Sequence, residues 1–404
     1  MTAATWLAIA QDSPFGVHNL PYGVFSTADR PGRRIGVRIG EFVLDAGAAA
    51  RAAGAPSVLL DADTLNPLLA AGRPTWAEVR AGLTAWLTDE AYRSALGPLL
   101  VPLADAVLHL PFEVADYVDF YSSEHHAVNV GRIFRPGAEP LTPNWKHLPI
   151  GYHGRAGTVV VSGTPVVRPH GQRKAPADAA PGFGPTRRLD IEAEVGFVVG
   201  TPSALGTPVP LDGFREHVFG VCLVNDWSAR DIQAWEYVPL GPFLGKSFAT
   251  SVSPWVVPLE ALEHARVAPP ARDTEPLPYL DDRAGDPWGL DIALEIRLNG
   301  HPVSHPPFAT MYWTAAQQLA QMTANGASLR TGDLYASGTV SGPDPQTRGS
   351  LIELTWNGEE PLKLPDGTTR AYLENDDEVT ITATAPGPDG TRIGFGEVTG
   401  RILP

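Results

Sequence analysis

The sequence predicts a mainly β chain of the α+β class, with a small N-terminal domain over residues 1–115 and a larger domain over 116–404. Three observations carry this expectation. The 41 glycines and 40 prolines are scattered along the 404 residues, as short strands joined by tight turns require. After residue 116, seven segments read as strands and two as helices. Hydrophobic residues make up 43% of the chain, enough for a sizeable core and too many for global disorder.

Taken in order, Arg34 to Asp45 reads as a hairpin turning at Gly40-Glu41. Leu65 to Leu87 carries apolar residues at helical spacing, broken near Gly72-Arg-Pro74. The expected strands are 158–162, 165–168, 191–199, 217–224, 291–298, 350–356 and 378–384. The expected helices are Ser228 to Trp235 and Thr314 to Asn325, the second stopped by Gly326. Two Pro/Gly/Asp-rich stretches, 171–186 and 262–290, read as surface loops. No solenoid or propeller period is present.

The formal net charge is −15 and the sequence pI is near 5.1, which opposes binding to nucleic acid and to anionic membranes. An anionic substrate would need a local cluster of Arg, Lys or metal. The single cysteine, Cys222, lies in an apolar run and reads as a small core residue. No apolar stretch approaches the roughly 20 residues that span a bilayer. Met1 to Leu20 lacks a basic n-region followed by an apolar h-region, so the chain reads as untargeted and cytoplasmic.

The chemistry gathers between Asp119 and Glu353. Strand alternation sends Glu192 and Glu194 to one face, with Ile191, Ala193 and Val195 on the other. Side-by-side carboxylates repel unless water or a cation lies between them, and the apolar run through Val199 favours the cation. Asp226 ends an apolar strand just before a helix on which Arg230 and Gln233 share a face. A purely structural alternative has Asp226 cap that helix and pair with Arg230. In Asp116 to His126, His125 and His126 are both candidate general bases, or surface residues. Lys246, flanked by glycine and apolar residues, needs an anionic partner unless it reaches solvent. Ala336 to Gly342 is a turn able to present N–H groups to a carboxylate. Glu353, expected on a strand, can orient a histidine or face outward. The carboxylates Asp119, Glu192, Glu194 and Asp226 offer hard oxygen, which favours Ca²⁺ or Mg²⁺ over zinc or copper. No HExxH, CxxC, Walker or GxSxG pattern competes.

Several long runs resemble the fumarylacetoacetase family (fumarylacetoacetate hydrolases). They are His18-Asn-Leu-Pro-Tyr-Gly-Val-Phe25, Asp119-Phe-Tyr-Ser-Ser, Pro143-Asn-Trp-Lys-His-Leu-Pro-Ile-Gly-Tyr-His-Gly-Arg155 and the stretch from Asn225 to Phe248. The resemblance implies an SH3-like N-terminal domain, a larger β-roll catalytic domain and a homodimer. It implies Ca²⁺ on Asp119, Glu192, Glu194 and Asp226, and Mg²⁺ near Asp226, Lys246 and Thr250. It implies His126 as proton acceptor, Glu353 as its orienter, and Arg230, Gln233 and Lys246 as stabilisers of developing charge. Tyr121, Arg135, Tyr152, Gln233, Tyr237 and Thr339 match the family's substrate contacts. The implied reaction is metal-dependent hydrolysis of a carbon–carbon bond in a diketo-dicarboxylate, fumarylacetoacetate, the last step of tyrosine and phenylalanine catabolism. The alternative is an acylpyruvate-type hydrolase of the same family, against which the long N-terminal segment and Pro143 to Pro149 argue.

Overall fold

The computed structural model describes residues 5–283, 285 and 287–404. Residues 1–4, the head of the N-terminal stretch read as untargeted, lie outside the described residues, as do Ala284 and Asp286 of the expected 262–290 loop.

The N-terminal part is a five-stranded antiparallel sheet, ordered Leu100–Pro102, Phe42–Asp45, Arg34–Ile39, Tyr22–Ser26, Val107–His109. The expected hairpin forms, with Gly40 at φ +56° in its turn, a conformation glycine adopts without steric cost. The helical pattern from Leu65 becomes two helices, Asn66–Ala70 and Arg73–Thr88, interrupted at Gly72. Their apolar faces (Leu68, Leu69, Trp76, Leu83, Leu87) share one core with Ile35 and Val37 of the sheet.

That core continues into an eight-stranded mixed sheet. Its path runs Gly151–His153, Tyr117–Phe120, Leu334–Ala336, Ala193–Val199, Val218–Asp226, Thr250–Val252, Val159–Val161, and Val257–Pro258 also pairs with Val218–Asp226. The two central strands are buried along their whole length, as continuous apolar runs predict. Val198, Phe219, Cys222 and Val224 pack toward the N-terminal part; Val195, Phe197, Val221 and Leu223 face the larger core behind. Cys222 is thus the small core residue its sequence context suggests. A second five-stranded sheet, His301–Ser304, Ala293–Leu298, Glu378–Pro386, Arg392–Leu403, Val166–Val167, completes the larger domain. Among the described residues no helix is long and apolar enough to cross a membrane.

Four local expectations are corrected. Residues 350–356 are not a strand: Leu351–Leu354 is a single helical turn, closed at its end by Trp356 and Asn357 at φ +47° and +58°. Its first two N–H groups donate to the carboxylate of Asp190, at 2.7 and 3.0 Å, which fixes a helical rather than an extended start. A helix absent from the expectation, Glu124–Phe134, follows Ser123, whose Oγ accepts from the His126 N–H. The 171–186 stretch is largely a hairpin, His170–Arg173 against Gly182–Pro185, and 262–290 holds a short pair, Arg266–Val267 with Gly289–Leu290. The helix expected from Ser228 begins at Arg230, because Ser228–Ala229 pairs first with Leu189–Asp190.

Candidate active site and metal centre

The eight-stranded sheet brings four carboxylates to one end. Asp119 lies opposite Ala336 and Tyr152 on its two neighbours, Glu194 opposite Val224, and Asp226 opposite Thr250. Glu192 enters just before its strand, where its carbonyl accepts from the Asp226 N–H. All four are buried, and an oxygen of each lies within 4.8 Å of the others.

Such a cluster opposes its own ionisation. Burial, reinforced by Asp226, holds Asp119 well above the ordinary carboxylate range. Burial, with Asp119 and Asp226 beside it, does the same to Glu194. Asp226 is raised by burial despite Lys246. Glu192 goes the other way: burial would raise it, but Lys246, Arg230 and His126 outweigh burial and lower it. Lys246 Nζ donates to Glu192 Oε2 and Asp226 Oδ2, both at 2.5 Å. Its ammonium has no lone pair for a metal, so it acts as counter-charge to the cluster. Thr250 Oγ1 donates to Asp226 Oδ1 at 3.0 Å.

The donor set fits a hard divalent cation. Among the described residues, Asp119, Glu192, Glu194 and Asp226 share two buried cations, Lys246 and Arg230, and Arg230 also pairs with Asp190. Asp119 Oδ1 and Glu194 Oε1 are buried without a hydrogen-bond partner. Two acceptor-only oxygens left bare in an over-negative pocket are what an oxygen-ligated metal satisfies.

Beside the cluster stands a histidine held by a carboxylate. His126 Nδ1 lies 2.7 Å from Glu353 Oε2, and its Nε2 lies 3.9 Å from Glu192 Oε1, facing the four acids. Glu353 is fully buried and also accepts from Asn129 Nδ2, Ser341 Oγ and Ser350 Oγ at 2.7 to 2.9 Å. Burial alone would raise its carboxyl, but His126, Asn129 and Ser350 outweigh burial and hold it at about 2. His125, half-buried, has no hydrogen-bond or ion-pair partner among the described residues, so geometry separates the two adjacent histidines.

Arg230 does not pair with Asp226, which overturns the structural alternative. Its Nε donates to Asp190 Oδ2 at 2.7 Å, and its Nη1 forms an ion pair with Glu192 Oε1, also at 2.7 Å. Nη1 also reaches Gln233 Oε1 at 3.1 Å, leaving the Gln233 amide N–H groups free to donate elsewhere. The 336–342 turn does offer an N–H to a carboxylate: Gly338, at φ +78°, donates to Glu194 Oε2 at 3.1 Å. The next residue, Thr339, buries an Oγ1 with no partner. Tyr152 lies opposite Asp119 on the neighbouring strand, and the Tyr121 ring meets His126 edge-on at 5.4 Å. Arg135 caps the 124–134 helix and donates to the Pro140 carbonyl, while Tyr237 stacks on Phe134. A cavity of about 360 Å³, lined by Tyr152, Arg155, Asp226, Lys246 and Thr250 among others, opens onto the cluster.

Sequence reasoning missed Asp190, Asn129, Ser341 and Ser350. Asn129 sits three residues after His126 on its helix, a spacing that places both on one side. Asp190 takes its donors from Arg230, Leu351 and Ile352, far along the chain, and Ser341 and Ser350 gain a role only through Glu353, which the sequence places on a strand rather than in a helical turn.

Comparison with known proteins agrees with the geometry. The family described as fumarylacetoacetate (FAA) hydrolase, C-terminal, matches residues 116–403, and fumarylacetoacetase, N-terminal, matches 18–111. Fumarylacetoacetase of Homo sapiens is 47% identical over 416 residues, covering 99% of each chain. That of Caenorhabditis elegans is 48% identical over 420 residues, again covering 99% of each. A solved structure of a fumarylacetoacetate hydrolase from Exiguobacterium antarcticum shares the fold at TM-score 0.55 and 17% identity, covering 95% of this chain and 99% of that one.

Proposed function

The chain belongs to the fumarylacetoacetate hydrolase family, and from that premise we propose that it hydrolyses a carbon–carbon bond of fumarylacetoacetate to give fumarate and acetoacetate. That reaction is the closing step of tyrosine and phenylalanine catabolism. The observation that carries the proposal is the His126–Glu353 pair facing a buried four-carboxylate cluster. We assign residues 1–115 to an N-terminal SH3-like domain and 116–404 to a catalytic β-roll domain.

When bound to Asp119, Glu192, Glu194 and Asp226, with Thr250 beside Asp226, a Ca²⁺ or Mg²⁺ ion supplies Lewis-acid polarisation of the substrate's 1,3-dicarbonyl. His126 does the proton work. Its Nδ1–H is held by Glu353, which fixes the tautomer and leaves the Nε2 lone pair toward the cluster. Nε2 takes a proton from the water that adds to the carbonyl next to the scissile bond. As that bond breaks, its electron pair leaves with the acetoacetate carbon as an enolate, which the imidazolium reprotonates. Glu353 stabilises the imidazolium meanwhile. Lys246 has one N–H beyond those it gives Glu192 and Asp226, and Gln233 and Arg230 Nη2 have donors to spare. These three hydrogen-bond the developing oxyanion, a well-placed donor being worth roughly 3 kcal/mol. Tyr121, Arg135, Tyr152, Gln233, Tyr237 and Thr339 hold the substrate's two carboxylates and its keto oxygens. The cationic groups explain how a chain of net charge −15 accepts a dianion.

We also read the protein as a cytoplasmic homodimer. The exposed apolar side chains Val238, Leu240, Phe243 and Leu244, next to the site, support the dimer. The lone buried thiol of Cys222, which needs no oxidising compartment, supports the location.

The test is loss of the diketone ultraviolet absorbance of fumarylacetoacetate on adding the protein with divalent metal. Rapid loss, with fumarate and acetoacetate appearing in equal amounts, is expected. No loss from folded, metal-supplied protein overturns the proposal.

A further inference from the structure

Asp190 accepts four hydrogen bonds, as many as Glu353, yet none of them comes from a proposed metal ligand. It is completely buried. Its Oδ1 accepts from the N–H groups of Ile191 and Leu351, both at 2.7 Å. Its Oδ2 accepts from the Ile352 N–H at 3.0 Å and from Arg230 Nε at 2.7 Å. Two separate pieces of the site therefore hang on one side chain. The first is Arg230, whose Nη1 reaches Glu192 and Gln233. The second is the turn Leu351–Leu354, which carries Glu353.

That turn has no cap of its own. The Ser350 side chain caps nothing and is spent on Glu353 Oε2 instead. The first N–H groups of a helical turn lack partners within it, and a buried orphan N–H is costly. Asp190 supplies both missing acceptors from a strand more than 160 residues earlier. Pairing of Leu189–Asp190 with Ser228–Ala229 puts it beside Arg230 at the same time. From Asp190 one path runs through Arg230 to Glu192 and Lys246, and another runs through the turn to Glu353 and His126.

We infer that Asp190 is a positioning residue that sets Arg230 and the Glu353–His126 pair in register with each other. It touches neither substrate nor metal. A carboxylate is needed because four donors converge on two oxygens; a carboxamide has one acceptor oxygen and turns an N–H donor toward other donors. Asp190→Asn therefore breaks one link or the other. The inference rests on His126 and Glu353 acting as base and orienter.

The test measures kcat and KM for metal-loaded wild type, Asp190→Asn, Glu353→Gln and the double variant, with melting temperature as a check on folding. Asp190→Asn is expected to lower kcat by about 10- to 100-fold, the usual cost of removing a supporting hydrogen-bond partner behind a site, with little change in KM. In the Glu353→Gln background the same substitution should cost much less, because the geometry it protects is already lost. A plain loss of folded protein would lower turnover by the same factor in both backgrounds, and that result overturns the inference. So does wild-type kcat in Asp190→Asn while Glu353→Gln is impaired. Full turnover in Glu353→Gln would instead refute the base-and-orienter reading itself. If Asp190→Asn does not fold, Asp190→Glu keeps the charge but shifts the turn by one methylene. It should fold and show the same background-dependent loss; an unchanged kcat counts against the inference.

Discussion

Glu353 and Glu194 are both completely buried glutamates of one active region, yet the fold treats them in opposite ways. Glu353 receives a histidine, an asparagine and two serines, and its carboxyl is held at about 2. Glu194 receives one backbone N–H, keeps a bare oxygen among other acids, and is held well above the ordinary range. A carboxylate whose charge is met within the chain does its work as it stands. One whose charge is left unmet is waiting for something that carries the opposite charge. On the proposed function, the contrast divides the site into a finished proton-transfer half and a half that a cation would complete.

The largest effect should come from the unfinished half. Chelation with EDTA is expected to abolish turnover, and added Ca²⁺ or Mg²⁺ to restore it; full activity in verified metal-free protein would erase the distinction. In the finished half, His126→Ala should lower kcat by about 10²- to 10⁴-fold while substrate still binds. Near-normal turnover in that variant would move the base to His125.

Two stability measurements sharpen the comparison further. The Glu353 value lies below its ordinary 4.5, so its stabilisation is complete above about 4.5 and disappears as pH falls toward about 2. The stability gap between wild type and Glu353→Gln, on the order of 3 kcal/mol near neutrality, should therefore close across that window. A gap that stays constant down to acid pH would contradict the assignment. Glu194 predicts the reverse sign. In metal-free protein near neutral pH, Glu194→Gln removes the cost of burying an acid whose ionisation the fold opposes and should raise stability by on the order of 1 kcal/mol; with Ca²⁺ present the order should invert. A metal-free Glu194→Gln protein less stable than wild type would refute this.

The sequence made the strand-borne half of the site more legible than the rest. Glu192, Glu194 and Asp226 sit on or beside long apolar runs whose burial makes paired acids conspicuous. Glu353 is legible as a carboxylate, but its sequence context points to a strand where the fold has a helical turn. Its four-residue turn exists only because Asp190 caps it from far along the chain, a contact that periodicity cannot carry. The Glu124–Phe134 helix was hidden by its polar, aromatic start, although Ser123 is a good cap. Asp190 carries no sequence signal of its own, because its four donors come from three separate segments.

The most direct test of the divided site is calorimetric titration of Ca²⁺ into metal-free wild type, Glu194→Gln and Glu353→Gln, each also assayed for turnover. The division predicts that Glu353→Gln binds Ca²⁺ as wild type does and turns over slowly, while Glu194→Gln binds it at least about tenfold more weakly. Unchanged Ca²⁺ affinity in Glu194→Gln, or equal loss of affinity in both variants, would contradict it.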